Sequence, residues 1–263
     1  MTNFFTAVGV LHYREWVRFL RSPGRIIGAL GAPVFFWALL GSGMGSSFQN
    51  TGLAVKGGYL EYFFPGMLAM VVLFTSIFAA ISLIEDRREG FLQMVLVSRV
   101  SRSAIVVGKV LGWSTLASAQ ALLLLALLPF LGVIPTVVGL LSSVLVILLM
   151  SLTLSALGFL CAWKFNSVQS FHSVMNLLLF PMWLLSGALF PSEGASAWMR
   201  AVMTVNPLYY GVLPLRRALY GEVGESPLGH GFWISLAVLA AFGLVFLLAA
   251  TWLVSRNRVS QNG

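Results

Sequence analysis

VLGWSTLASAQALLLLALLPFLGVIPTVVGLLSSVLVILLMSLTLSALGFLCAW, residues 110–163, is a run of 54 residues without one charged side chain, bounded by Lys109 and Lys164. About 20 apolar residues cross the hydrocarbon core of a bilayer, so the run is two crossings long. It carries its own turn, Pro129-Phe-Leu-Gly132-Val-Ile-Pro135, where proline and glycine interrupt the helical pattern. That marks a polytopic membrane protein.

Four more charge-free runs flank it: 26–55, 62–84, 165–192 and 226–255. With the central run divided, six helices are expected, near 26–45, 63–84, 104–129, 137–161, 171–191 and 232–254. The expected fold is an all-α polytopic membrane protein formed as a single domain over 1–263. Composition agrees: the chain is 59% hydrophobic and 9% charged, with mean hydropathy +0.92, whereas a soluble domain is about a quarter charged. The one cysteine, Cys161, excludes an internal disulfide and reads as a buried, inert thiol. The first basic residue is Arg14, and no short apolar core with a small-residue cleavage site follows Met1; the N-terminus does not read as a signal peptide.

Six spans place both termini on one side. The flanks on that side hold Arg14, Arg18, Arg21, Arg25, Arg87, Arg88, Arg99, Arg102, Lys109, Lys164, Arg256 and Arg258 against Glu15, Glu85, Asp86 and Glu89. The other flanks hold Lys56, Arg200, Arg216 and Arg217 against Glu61, Glu193, Glu222 and Glu225. The whole excess of +8 therefore sits on one side, and the positive-inside rule makes that side cytoplasmic. The charge is thus explained by topology, and no nucleic-acid partner is expected.

Three segments do not span. Residues 1–25 contain a helix over 3–22 expected to lie in the membrane interface. Its Trp16 and phenylalanines supply apolar contact, and Arg14, Arg18 and Arg21 reach toward lipid head groups. Residues 85–102, EDRREGFLQMVLVSRVSR, join helices 2 and 3. Phe91, Leu92, Val95 and Leu96 recur at helical spacing, giving an amphipathic helix that fits a lipid surface and a groove in a cytosolic partner equally well. Residues 192–231 form the longest external segment. Its 15 uncharged residues, 201–215, are interrupted by Pro207 and Pro214. They are too short to span, and a pair of short re-entrant or interfacial helices on an exit path is expected.

Several chemistries are missing. Gly108-Lys109 is followed by Val110, and no glycine lies five residues before Gly108, so there is no phosphate loop. There are no paired catalytic carboxylates, and neither H-E-x-x-H nor G-x-S-x-G occurs. No expected helix centre carries Asp, Glu, Lys or Arg, which argues against ion-coupled transport and against a membrane enzyme. His12, His172 and His230 read as interfacial side chains. Small residues at four-residue spacing, Gly41/Gly45, Ser114/Ser118 and Ser151/Ser155, permit close helix contact.

The loop at 85–102 resembles the segment after helix 2 in ABC-2 type exporter permeases, which reads approximately E-x-G-[TF]-L-x-x-L-L-[VA]-[TS]-P-[VL]-S-R. Here Arg99 stands where the family usually has proline, and Gln93 where glutamate is common. L-S-G-A-L-F-P (185–191) followed by N-P-L-Y-Y-G-V-L-P-L-R-R (206–217) is similar to the family's helix-5 exit and external helices. Drug, lipid-linked glycan and polysaccharide exporters share this architecture, and the antibiotic-resistance and nodulation-factor exporters are the branches the chain most resembles.

The resemblance implies a half-transporter of the bacterial inner membrane. Two permease copies pair, each on a cytosolic ABC ATPase subunit that holds ATP and Mg, with no cofactor in this chain. The coupling residues implied are Glu85, Asp86, Arg87, Arg88, Glu89, Gly90, Leu92 and Leu96. The external motif carries over to Gly187, Pro191, Asn206, Pro207, Tyr210 and Arg216, and the interfacial helix to Arg14, Trp16 and Arg18. The apolar spans favour an amphipathic, hydrophobic or lipid-linked substrate. The alternative is a membrane scaffold that recruits a cytosolic protein through the 85–102 loop without transport.

Overall fold

A computed structural model describes residues 4–43, 58–190, 195–221 and 228–256. Among the described residues all regular structure is helical, and six helices are long and apolar enough to cross a membrane. The chain is a multi-pass membrane protein. In order the elements are α1 (Phe4–Leu20), α2 (Pro23–Gly43), α3 (Tyr59–Arg88), α4 (Phe91–Val97), α5 (Arg102–Leu125), α6 (Val137–Lys164), α7 (Val168–Trp183), α8 (Ala197–Val205), α9 (Tyr209–Tyr220) and α10 (His230–Arg256).

The sequence punctuates these helices as expected. Ser101, Thr136 and Ser167 each stand before a span and accept a hydrogen bond from the backbone N–H three residues on, satisfying a donor that the helix start leaves free. Pro23 opens α2, where its missing N–H costs nothing. The turn at 129–135 holds a single 3₁₀ turn, Leu128–Leu131, closed by Gly132.

α3 is the centre of the bundle. Phe63, Phe64, Leu68, Val71, Val72 and Leu73 are fully enclosed, and α2, α5, α6 and α7 pack around it. Its 30 residues rise about 45 Å, against a hydrocarbon core of about 30 Å. The last turns of α3 stand at the end of the bundle where α1 and α4 lie. This is the basic end; α8 and α9 stand at the far end.

Two expectations change here. The segment 85–102 is not one amphipathic rod. Glu85–Arg88 are the last turn of α3, Gly90 follows with φ +80°, and only Phe91–Val97 form the short helix α4. A left-handed residue cannot continue a helix, and glycine takes that conformation without strain. The helix expected at 171–191 begins at Val168, stops at Trp183 and passes through a wide π turn, Leu184–Ala188, with Gly187 at φ +78°.

α1 packs on α5 along one face and leaves Phe5, Val10, Tyr13 and Leu20 exposed on another. Ala7, Leu11, Glu15 and Phe19, four residues apart, form its buried stripe. The approach is close because α5 presents Gly108 and Gly112. A β-carbon on Gly108 would lie 2.9 Å from the Leu11 Cβ, and one on Gly112 would lie 2.9 Å from the Glu15 Cβ. This pair, also four residues apart, lets two helices approach closely. Ser155 does bond Ser76 on α3, at 3.2 Å. Gly45 and Pro191 lie outside the described residues.

Candidate functional site

At the basic end α1, α3 and α5 are joined by a buried network of charges. Lys109 on α5 and Asp86 on α3 are enclosed, and Glu15 on α1 is only 2% exposed. The Lys109 Nζ lies 2.6 Å from Glu15 Oε1 and 2.6 Å from Asp86 Oδ2. Ser82 and the Trp113 indole donate to the second Glu15 oxygen at 2.6 and 2.8 Å. Arg14 donates to both Asp86 oxygens at 2.9 and 2.6 Å. Arg18 meets Asp86 at 2.5 Å, Glu85 at 2.8 Å and Glu89 at 3.3 Å. Arg25 pairs with Glu85.

Burial opposes the charge on Arg14, but the hydrogen bonds and field of Asp86 more than offset it and hold the guanidinium above its ordinary value. Such a network gains stability only if every partner is present; removing one leaves an uncompensated buried charge and costs about 3–5 kcal/mol.

The network reaches α4. The Arg14 guanidinium stacks over the Phe91 ring at 3.8 Å, a cation–π contact. Leu92 is 2% exposed and Leu96 half-buried, whereas Met94 and Val97 are 69% and 88% exposed. The short helix thus has an anchored face and a bare apolar face.

The far end is held differently. The π turn frees backbone carbonyls, and polar side chains on the next elements take them up. The Asn206 amide donates to the carbonyls of Met182 at 2.5 Å and Leu185 at 3.0 Å. Its oxygen accepts from the Leu208 N–H at 3.0 Å, which fixes the buried Pro207 in the turn between α8 and α9. Arg216 donates to the Gly187 carbonyl at 2.9 Å and to that of Tyr62 at 3.4 Å, and lies over the Tyr62 ring at 4.0 Å. Burial lowers the Arg216 pKa from its ordinary value. The Tyr220 hydroxyl donates to the Glu61 carbonyl at 2.7 Å, and Tyr210 to Thr204 at 2.9 Å. The motif residues Gly187, Asn206, Pro207 and Arg216 therefore form one connected latch between α3, the π turn and α9.

The sequence model of the ABC-2 type transporter family matches residues 6–220, from the buried stripe of α1 to the end of α9. The chain belongs to that family. A protein described as the transport permease ycf38, from Cyanophora paradoxa, is 27% identical over 223 residues, 82% of this chain and 76% of its own length. The daunorubicin resistance ABC transporter permease protein DrrB1 of Streptomyces coeruleorubidus is 20% identical, over 88% of this chain and 81% of its own. Nodulation protein J of Rhizobium leguminosarum bv. viciae is 25% identical, over 95% and 93%.

In this ABC-2 chain several sequence expectations need correcting. Leu92 is enclosed and Leu96 half-buried, and the exposed apolar residues of α4 are Met94 and Val97. Glu89 is 59% exposed and lies 3.3 Å from Arg18. Arg14 and Arg18 do not extend to lipid head groups, being consumed by Asp86, Glu85 and Glu89. Trp16 donates to the Thr115 hydroxyl on α5 at 2.8 Å. Arg21 and Arg88 are exposed.

The sequence reading missed Glu15 and Lys109 as a buried pair, having counted them only as flanking charge. The signal was present: Glu15 falls on the same four-residue stripe as Leu11 and Phe19. Among the described residues no cluster of His, Cys, Asp or Glu is placed to hold a metal ion.

Proposed function

We propose that the chain is the permease subunit of an ATP-driven exporter. Two copies pair in the bacterial cytoplasmic membrane, with the basic end and both termini in the cytoplasm. Each copy sits on a cytosolic ABC ATPase, which carries ATP and Mg. The observation that carries this reading is α4. It is a seven-residue helix held to the charge network through Phe91 and to the apolar core through Leu92, while Met94 and Val97 are left bare for a partner. A rigid-body displacement of the ATPase is then transmitted to α3 through Gly90 and to α1 through Arg14. The missing phosphate loop fits this division of labour. The names of the relatives, one in daunorubicin resistance and one in nodulation, support an amphipathic, hydrophobic or lipid-linked cargo. A scaffold that recruits a cytosolic protein through the same face is the second reading, and transport by the purified complex separates the two.

The test is co-purification with the ABC ATPase and its hydrolysis in reconstituted vesicles. Met94→Asp and Val97→Asp put a carboxylate into an apolar contact, and recovery of the ATPase should fall at least tenfold, equivalent to about 1.4 kcal/mol. Leu92→Asp should instead lower the melting temperature of the permease itself. Undiminished recovery of the ATPase by the Met94 and Val97 variants would remove α4 as the docking element. ATP hydrolysis by the permease alone would contradict the assignment of energy to a partner.

A further inference from the structure

The acids of the basic end are shared unevenly. Glu15, Glu85, Asp86 and Glu89 all pair on the α1 side, with Arg14, Arg18, Arg25 and Lys109. On the other side of α4, Arg87 and Arg102 meet no carboxylate among the described residues. Arg87 donates to the carbonyls of Trp163 and Phe165 at 2.7 and 3.1 Å and to the Asn166 side chain at 3.0 Å. Arg102 donates to the carbonyls of Val254 and Ser255 at 2.6 and 3.4 Å. These are the closing carbonyls of α6 and α10, and a helix C-terminus offers only about half a negative charge. Two full cations are thus met by partial charges.

Both guanidinium groups line one cavity of about 300 Å³. Leu92, Leu96, Trp163 and Val254 supply apolar wall around them. Its depth is marked by the helices that end there: α6 closes with Trp163 and Lys164, and α10 with Trp252 and Arg256, the arginine lying over the indole at 5.2 Å. Tryptophan with a basic residue at a span's end is the pattern of the head-group region.

We propose that the cavity between Arg87 and Arg102 binds the phosphate of an anionic phospholipid from the adjacent leaflet. Guanidinium groups suit phosphate oxygens in charge and geometry. The apolar wall takes the glycerol and the first methylenes. Gln93 and Val97 of α4 complete the lining, and an acidic side chain of a partner protein is the competing occupant; the tryptophan and basic residues at the ends of α6 and α10 favour lipid. The site rests on the membrane placement of the chain and not on transport, so it stands or falls separately from the exporter reading.

The test is native mass spectrometry of the full-length protein in neutral detergent. Phosphatidylglycerol and phosphatidylcholine with matched acyl chains are titrated separately, and inorganic phosphate is added as a competitor. Phosphatidylglycerol should bind at least tenfold more tightly than phosphatidylcholine. Arg102→Gln should abolish that preference, and Arg102→Lys should keep most of it, with melting temperatures compared to exclude misfolding. Arg88→Gln removes the same charge from an exposed position and should leave the preference intact. Equal binding of the two lipids, or equal loss in Arg88→Gln, would overturn the site. Competition by phosphate alone at millimolar concentration would reassign it to a free anion. Unchanged lipid preference in Arg102→Gln, with loss of a co-purifying protein, would reassign it to a partner's carboxylate.

Discussion

The two ends of this bundle fasten their helices by opposite means. At the basic end, charged side chains on four helices meet one another, and the backbone stays regular up to Gly90. At the far end the backbone itself is broken, and Asn206 and Arg216 bond to the carbonyls that the break releases. A side-chain network concentrates its cost in a few desolvated charges, each dependent on the others. A carbonyl latch spreads its contributions over several hydrogen bonds, about 1 kcal/mol net for those of Asn206 and about 1.5–3 kcal/mol for those of the charged Arg216. The basic end should therefore fail abruptly when one member is removed, and the far end should fail by degrees.

The largest expected effect tests that directly. Lys109→Met leaves Glu15 and Asp86 facing each other without their shared cation, and the loss should be about 3–5 kcal/mol. It should appear as a large drop in melting temperature and as proteolytic access to α1, which the network holds against α5. Glu15→Gln together with Lys109→Met should recover part of the loss, because the pair is then removed as a unit. If Lys109→Met melted within a degree of the parent, the network would not be what joins α1 to the bundle.

At the far end Asn206→Ala uncovers the Met182 and Leu185 carbonyls and removes the acceptor for Leu208. A buried group left without its partner costs about 1–3 kcal/mol, so the change should be clearly smaller than that for Lys109→Met. Hydrogen exchange should rise in α8 and in the 184–190 segment and stay low in α3. A loss as large as that for Lys109→Met would erase the contrast between the two ends.

How much of this was legible depended on what the environment enforces. The spans were readable because a bilayer demands about 20 apolar residues whatever their neighbours. The beginnings of α5, α6 and α7 were written locally, in Ser101, Thr136 and Ser167. The charge network was half legible: Glu15 stood on an apolar stripe, but the sequence alone does not reveal that α1 turns this stripe toward Lys109. That follows from Gly108 and Gly112 admitting α1 so closely. Which face of α4 turns outward was not legible for a related reason. Leu92 and Leu96 are the larger aliphatic residues, and periodicity identifies an apolar face without saying whether bundle or partner covers it. The break at Gly187 was invisible to hydropathy, since the segments on both sides of it are predominantly apolar.

The smallest expected effect uses the two glycines that end regular backbone at each end. Gly90 and Gly187 have nearly the same φ, +80° and +78°. A β-carbon on Gly90 would meet only the Gln93 side chain, at 3.9 Å, and one on Gly187 would have Tyr209 at 3.5 Å and Met203 at 3.6 Å. Neither position is sterically blocked, so alanine at each should cost the left-handed strain of about 1–2 kcal/mol, reduced by the smaller entropy of the unfolded chain. Asparagine tolerates this conformation and should cost less than alanine at Gly90. The two alanine variants form a matched pair in stability, and their difference lies in what each bend aims. Gly90→Ala should uncouple ATP hydrolysis from transport in the assembled complex, because it re-aims α4 relative to α3. Gly187→Ala should leave hydrolysis coupled and alter transport, because it disturbs only the latch at the far end. Equal effects of the two on coupled hydrolysis would show that the ends do not divide the work in this way.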